Sequence, residues 1–388
     1  MLPTDTANLH VRSSRVVLDG VPTHAVVELV RVDGPAHTVV EVHPPDAPLV
    51  ADVVDVGDRL VVPAPLDLHF HGAGGFVVPP GDAPASIDAF LQSISRRAGW
   101  LNPSIAPYEW VATLPVPQRP SPDPVEHLAE AAAAIAERGP STWCRGLRIE
   151  GLFLNPSRAG VWPPETFRAP DPALLAELHA AARDAGTPLL VIDVAPELPG
   201  ALELIARARE LGIVASLAHS DATFEQARDA IDAGATLATH TWNAMRPVTH
   251  RDPGIVAAVL ADPRVTCELI CDGVHLHPGT VALSIAACGR GGWAAISDAS
   301  PFAGSRPGDY EWAGTIVTHD GRTLRDTEGR LAGSASLLDI AHVELAAAGI
   351  GDLDIALAIG AVPRRVLDPA RPLGLMTGDP AWVVPTAR

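Results

Sequence analysis

The chain of 388 residues contains no lysine; all 28 of its basic residues are arginine. That absence excludes Schiff-base chemistry on a lysine amine, a Walker-type phosphate loop and a metal pair bridged by a carbamylated lysine. Cysteine is scarce as well. Cys144, Cys267, Cys271 and Cys288 are the only four, and no two have CxxC spacing. A disulfide framework is therefore not expected. Cys267 and Cys271 sit in an apolar run and read as core. No run approaches the ~20 apolar residues of a membrane span. The opening segment MLPTDTANLHVRSSR has no apolar signal core. Positive charge is also short, and the net charge is −18. This argues against nucleic acid or an anionic membrane surface as partner. A small anionic substrate stays possible, because a local pocket can oppose the global sign. The expectation is a cytoplasmic enzyme or binding protein.

Apolar residues make up 47% of the chain, enough for a large core. The length suits a barrel of about 250 residues with a smaller partner. Residues 16–18, 25–32, 38–42 and 59–62 are β-rich and separated by Gly, Pro and Asp, which predicts a small β module. A strand-like run returns at 381–385. Chain ends often lie close together, so the C-terminus is expected to complete that module. The predicted division is a small β-sandwich module from 1–62 and 366–388, and a catalytic barrel over 63–365.

From residue 63 the pattern alternates. Strands are predicted at 65–70, 108–114, 146–149, 189–194, 213–218, 236–239, 265–271 and 293–296. Helices are predicted at 85–98, 124–138, 172–185, 201–211, 223–233, 255–261 and 279–287. Eight strands alternating with helices imply a parallel sheet, and the count implies a (β/α)8 barrel. A doubly wound open sheet is the competing arrangement.

The chemistry-bearing residues fall at the strand ends. His69 and His71 end the first strand, Glu150 the third, His219 the fifth, His240 the sixth and Asp298 the eighth. Residues i and i+2 of a strand face the same side, so both His69 and His71 can point into the barrel with Phe70 packed outward. One histidine at a strand tip reads most simply as a core residue. Four imidazoles and two carboxylates at one mouth point instead to one or two divalent ions, Zn2+ first and Fe2+ or a similar ion second.

These motifs resemble the amidohydrolase superfamily and, within it, the N-acetylglucosamine-6-phosphate deacetylases. The resemblance runs through PLDLHFHGAGG at 65–75, GLRIEGLFLNPSRAG at 146–160, AHSDATFEQARDAIDAGATLATHTWNAM at 218–245 and HRDPG at 250–254. It continues through ELICDGVHLHP at 268–278, SDAS at 297–300, LAGSASLLD at 331–339 and LDPARPLGL at 367–375. The resemblance implies that Glu150, His219 and His240 hold a principal metal and that His69 and His71 add a second, with Glu150 bridging. It implies that Asp298 is the acid/base in amide hydrolysis by water whose pKa a bound ion lowers towards ~7. Asn243, Ala244, Arg251 and His275 match positions that recognise a sugar phosphate, with the arginine supplied across a homodimer. His277 reads as structural.

The chain also departs from that family. Trp162 stands where a histidine usually touches the sugar, Leu152 where a proline is usual, and Trp242 where a phenylalanine is usual. The second-strand region reads NPSIAPYEWVATLPV rather than the family pattern. An indole has one N–H donor and a large apolar face, so Trp162 cannot replace an imidazole acceptor. Another N-acyl amino sugar, or an N-acyl amino acid, is the alternative substrate. A non-catalytic metal-binding relative would be expected to lack a ligand or Asp298, and none is missing.

Overall fold

A computed structural model describes residues 8–31, 37–48, 53–78, 84–97, 99–101, 106–115, 123–139 and 142–385. The predicted strand and helix ends at residues 32 and 98, the first seven residues and positions 102–105 of the divergent second-strand region lie outside the described residues.

Eight parallel strands run in sequence order. They are Leu66–Phe70, Glu109–Leu114, Cys144–Phe153, Leu189–Val194, Val214–Leu217, Leu237–Ala238, Thr266–Ile270 and Trp293–Ile296. The eighth strand returns to the first. Phe70 and Ala299 form a parallel bridge, the Asp298 N–H donates to the His69 carbonyl at 3.0 Å, and the His71 N–H donates to the Ala299 carbonyl at 2.9 Å. This excludes the open doubly wound sheet. Asp67 reinforces the seam from inside. Its fully buried carboxylate accepts from the Ser297 N–H at 3.1 Å, the Ser297 hydroxyl and the Tyr108 hydroxyl at 2.8 Å.

The helices between strands start where the chain supplies caps. Asp171 accepts from Ala173 and Leu174 N–H groups ahead of Pro172–Asp184. Thr223 and Gln226 form a reciprocal capping box on Phe224–Ala233, which ends at Gly234. His277 caps Pro278–Cys288 through the Gly279 N–H, so its role here is structural, as expected. The inner faces of strands and helices merge in one large apolar cluster.

The β module is a six-stranded sheet. It contains Asn8–Leu18, Val21–Arg31, His37–His43, Val53–Asp55 and Leu60–Pro63, and Ala381–Val383 pairs antiparallel with Leu60–Pro63. The two ends of the chain thus meet in one sheet, as predicted, and that sheet has an apolar cluster of its own built on Val11, Val27, Leu29 and Leu375. A further element was not foreseen. Gly308–Trp312, Thr315–His319 and Leu324–Asp326 form an antiparallel three-stranded sheet after the eighth barrel strand. None of the described helices is long and apolar enough to cross a membrane.

Candidate metal centre and substrate pocket

The barrel mouth is organised by one spacing. Leu217, Ala238 and Ile296 end their strands, and His219, His240 and Asp298 follow two residues later. At these positions the backbone is left-handed, with φ of 42°, 28° and 49°. Trp242 and Ala244 share the feature, so five of the seven described non-glycine residues with positive φ lie at this mouth. L-residues adopt such conformations at a cost, and functional sites are where that cost is found. Gly160 makes room for the arrangement: a Cβ there would come within 3.3 Å of the His219 ring. Glu150 differs from its prediction. The third strand runs on to Phe153, so Glu150 is inside the strand rather than at its tip, with the register shifting between Ile149 and Phe153.

All six predicted chemical residues converge. Glu150 Oε1 lies 3.1 Å from both His219 Nε2 and His240 Nε2, and those two nitrogens are 3.1 Å apart. Glu150 Oε2 lies 3.2 Å from His71 Nε2 and 3.5 Å from His69 Nε2. Asp298 Oδ1 lies 3.4 Å from His69 Nε2 and 3.5 Å from His71 Nε2. The donors thus form two groups, Glu150 with His219 and His240, and His69 with His71 and Asp298. The Glu150 carboxylate spans both.

The outer ring nitrogens orient the rings. His219 Nδ1 faces the Arg158 carbonyl at 2.7 Å and His71 Nδ1 faces the Thr113 carbonyl at 3.1 Å. A carbonyl only accepts, so each Nδ1 carries the proton and each Nε2 presents a lone pair inward. Nitrogen lone pairs facing carboxylate oxygens in a buried site need a positive charge among them. Protons meet the need when no cation does. Burial and Arg148 depress the His69 pKa, yet Asp298 and Glu150 outweigh them and raise it to about 10. Burial raises the Glu150 and Asp298 carboxyls, but the surrounding imidazoles prevail. Glu150 is held well below the usual carboxylate range and Asp298 at about 2. Imidazole nitrogen with carboxylate oxygen is the donor set of zinc and related divalent ions, so the residues fit the expected metal.

Beneath the site lies a network that the sequence reading missed. Arg148 is fully buried in the barrel. Its guanidinium donates to Asp193 at 3.0 and 3.1 Å and to Glu268 at 2.7 and 3.0 Å. Glu268 Oε2 also stands 3.8 Å from His69 Nδ1.

Above the site opens a cleft of about 340 Å³. Asn243, Ala244, His275 and Trp162 line it. Asp272 fixes His275 through Nδ1 at 2.8 Å, which leaves Nε2 for the cleft. The Asn243 backbone N–H is not free for the cleft, because it donates to the His240 carbonyl at 2.9 Å. Trp242 donates its indole N–H to the Ser284 hydroxyl at 2.9 Å. Arg251 is not brought to the cleft; it is exposed and does not contribute to the lining. Arg158 and Trp312 are among the lining residues that were missed. Arg158 lies within the NPSRAG motif and is held by Asp221 at 2.5 and 3.0 Å. Trp312 comes from the unforeseen three-stranded sheet. It packs edge-on against Trp162 at 5.4 Å between ring centroids, and both indoles flank His71, at 5.5 and 5.7 Å.

The chain is similar to known proteins. The chain is 32% identical over 334 residues to N-acetylgalactosamine-6-phosphate deacetylase of Escherichia coli O157:H7, covering 84% of this chain and 82% of that one. It is 31% identical over 291 residues to N-acetylglucosamine-6-phosphate deacetylase of Bacillus subtilis (strain 168), covering 75% and 70%. The chain belongs to the N-acetylglucosamine-6-phosphate deacetylase family of the amidohydrolase superfamily. Members are metal-dependent hydrolases of amides. A solved structure of N-acetyl-D-glucosamine-6-phosphate deacetylase from Mycobacterium smegmatis, in complex with N-acetyl-D-glucosamine-6-phosphate, superposes with a TM-score of 0.78 at 27% identity and covers 97% of this chain and 94% of that one. A scan against protein-family models finds no match.

Proposed function

We propose that this chain removes the acetyl group from an N-acetylated amino-sugar 6-phosphate such as N-acetylglucosamine-6-phosphate. The observation that carries the reading is the meeting of four inward Nε2 atoms and Asp298 around one carboxylate, Glu150, at the floor of a cleft. In this reading Glu150, His219 and His240 hold one divalent ion, and His69 and His71 add a second beside Asp298. Zinc suits the nitrogen-rich set best, with Fe2+ as the alternative. A bound ion supplies Lewis acidity for the amide carbonyl and lowers the pKa of water beside it.

Asp298 does the proton work. Its carboxylate accepts a proton from the attacking water and delivers it to the nitrogen as the C–N bond breaks, releasing acetate and the free amine. His275 Nε2 and the Asn243 amide offer polar contacts to the sugar phosphate, and Ala244 stands beside them. Trp162 and Trp312 form an apolar wall beside His71, against which the pyranose face or the acetyl methyl packs. We infer that Arg251, exposed on its own subunit, serves the cleft of a second copy in a homodimer. A cytoplasmic location belongs to the same reading, supported by four free cysteines, three of them buried. So does the division into a module of 1–62 with 366–388 and a barrel of 63–365, supported by separate apolar clusters.

The relatives act on both gluco and galacto sugars, so the test compares substrates. Turnover is measured with N-acetylglucosamine-6-phosphate, its galacto epimer and unphosphorylated N-acetylglucosamine. A preference for either phosphorylated sugar supports the reading. The Trp162–Trp312 wall favours a second reading, deacylation of a different amine, and preference for an unphosphorylated N-acyl amine would establish that one instead.

A further inference from the structure

The β module carries a cluster of metal-ligating side chains remote in sequence from the barrel mouth. One face of its sheet is apolar, and Leu9, Val11, Val27 and Leu29 point there. His10 and Glu28 alternate onto the opposite face and are direct cross-strand partners. On the third strand the register shifts between the pairs Glu28–Glu41 and Leu29–Val39, which leaves Val40 as an extra residue. That bulge resets the alternation. Val39 and Val42 both pack on the apolar cluster, while Glu41 and His43 join His10 and Glu28. Without the bulge, Glu41 would share the face of Val39.

The result is three potential ligands on three adjacent strands. His43 Nε2 lies 3.0 Å from Glu28 Oε2, and His10 Nε2 lies 3.8 Å from the same oxygen. Ligand atoms of these three residues lie within 4.8 Å of one another. A tetrahedral zinc with Zn–N bonds of about 2.0–2.1 Å holds its ligand atoms roughly 3.3 Å apart, so the observed separations bracket what an ion requires. Among the described residues, the only other groups this close are the two at the barrel mouth.

Two further features suit an ion better than a plain hydrogen-bonded cluster. His10 is 5% exposed, its Nδ1 has no hydrogen-bond partner and its Nε2 is too far from Glu28 to donate well, which leaves a buried imidazole poorly satisfied. On the far side of His43, Glu41 Oε1 stands 3.7 Å from Nδ1, where it can orient the ring as an outer carboxylate does behind a metal-bound histidine. The side chains of Glu28 and His43 are 23% and 16% exposed, so the cluster opens to solvent and water can complete the coordination.

We propose that His10, Glu28 and His43 form a second, non-catalytic site for a first-row divalent cation of the zinc class, tying the first three strands of the β module together. Two imidazoles and one carboxylate select such an ion over Mg2+ or Ca2+, which take oxygen ligands. The site is independent of the reaction assigned to the barrel.

The test counts zinc. The parent and the His10→Ala/His43→Ala double variant are loaded with Zn2+, dialysed against zinc-free buffer containing Mg2+, and analysed for bound zinc and amide hydrolysis. The expected result is one equivalent of zinc fewer in the double variant with unchanged turnover. Equal zinc content in the two proteins overturns the proposal. If the double variant also loses turnover, Glu28→Gln decides, because it keeps the shape and removes only the charge. Weakening of one zinc equivalent by about tenfold or more supports the site, and an unaltered zinc titration overturns it.

Discussion

Glu268 is where the structure makes its sharpest demand. Both of its oxygens accept from Arg148, at 2.7 and 3.0 Å, and Oε2 also faces His69 Nδ1 at 3.8 Å, all at zero exposure. Replacement by glutamine keeps the shape and exchanges one oxygen for an NH2 donor. If the amide oxygen takes the Oε1 position, the NH2 faces both an Arg148 N–H and His69. If it takes the Oε2 position, the NH2 faces the other Arg148 N–H. Either way one charge-assisted hydrogen bond is lost and two donors oppose each other. A hydrogen bond to a charged group contributes about 1.5–3 kcal/mol, so Glu268→Gln should destabilise the fold by about 2–3 kcal/mol. This is less than Arg148→Met, which strands two buried carboxylates at a cost of about 3–5 kcal/mol. Because Glu268 also backs His69, the variant should bind metal at the His69–His71 group about 10–100-fold more weakly. Thermal denaturation with and without metal, together with a zinc titration, reads both effects. A thermal midpoint and a zinc affinity equal to those of the parent would refute the reasoning. Lower stability with unchanged zinc affinity would reduce Glu268 to a structural partner of Arg148.

The remaining predictions concern the reaction. Asp298→Asn should lower kcat by at least ~10²–10⁴-fold while metal analysis shows the ions retained, since an amide cannot accept the water proton; a variant within a few-fold of the parent would remove Asp298 from the mechanism. Removal of metal by a chelator should abolish turnover, Zn2+ should restore it, and His219→Ala should lower the metal content. Arg251→Ala should raise KM for a phosphorylated sugar by more than about tenfold, as loss of a charge-assisted contact implies, and leave an unphosphorylated substrate unaffected. If Arg158→Ala produces that pattern and Arg251→Ala does not, the phosphate is held within one subunit by the arginine already in the cleft.

The barrel was legible because its signals are local. Alternation of strand and helix is written in windows of a few residues. The tip positions of His219, His240 and Asp298 follow from where each apolar run stops, and the i, i+2 spacing of His69 and His71 needs only the pleat of one strand. Each candidate ligand except Glu150, which lies inside its strand, could therefore be placed from its own segment, and the shared mouth followed from the rule that parallel strands end on one side. The lack of lysine likewise excluded a carbamylated bridge without any structure. What the sequence could not reveal depends on register between distant segments. Arg148 reads as one more residue of a strand until the barrel closes and sets Asp193 and Glu268 around it. Trp312 reads as part of a loop region until its sheet folds back onto Trp162. Arg251 matches a phosphate-recognition position by motif and is exposed outside the cleft of its own chain; a motif records adjacency along the chain and does not say which cleft a loop faces. The His10–Glu28–His43 cluster depends on a single-residue bulge that turns Glu41 and His43 to the face opposite the core. Local pattern determined the elements and the candidate ligands they carry. Long-range pairing, which sets the face each side chain occupies, decided which charges, rings and nitrogens meet.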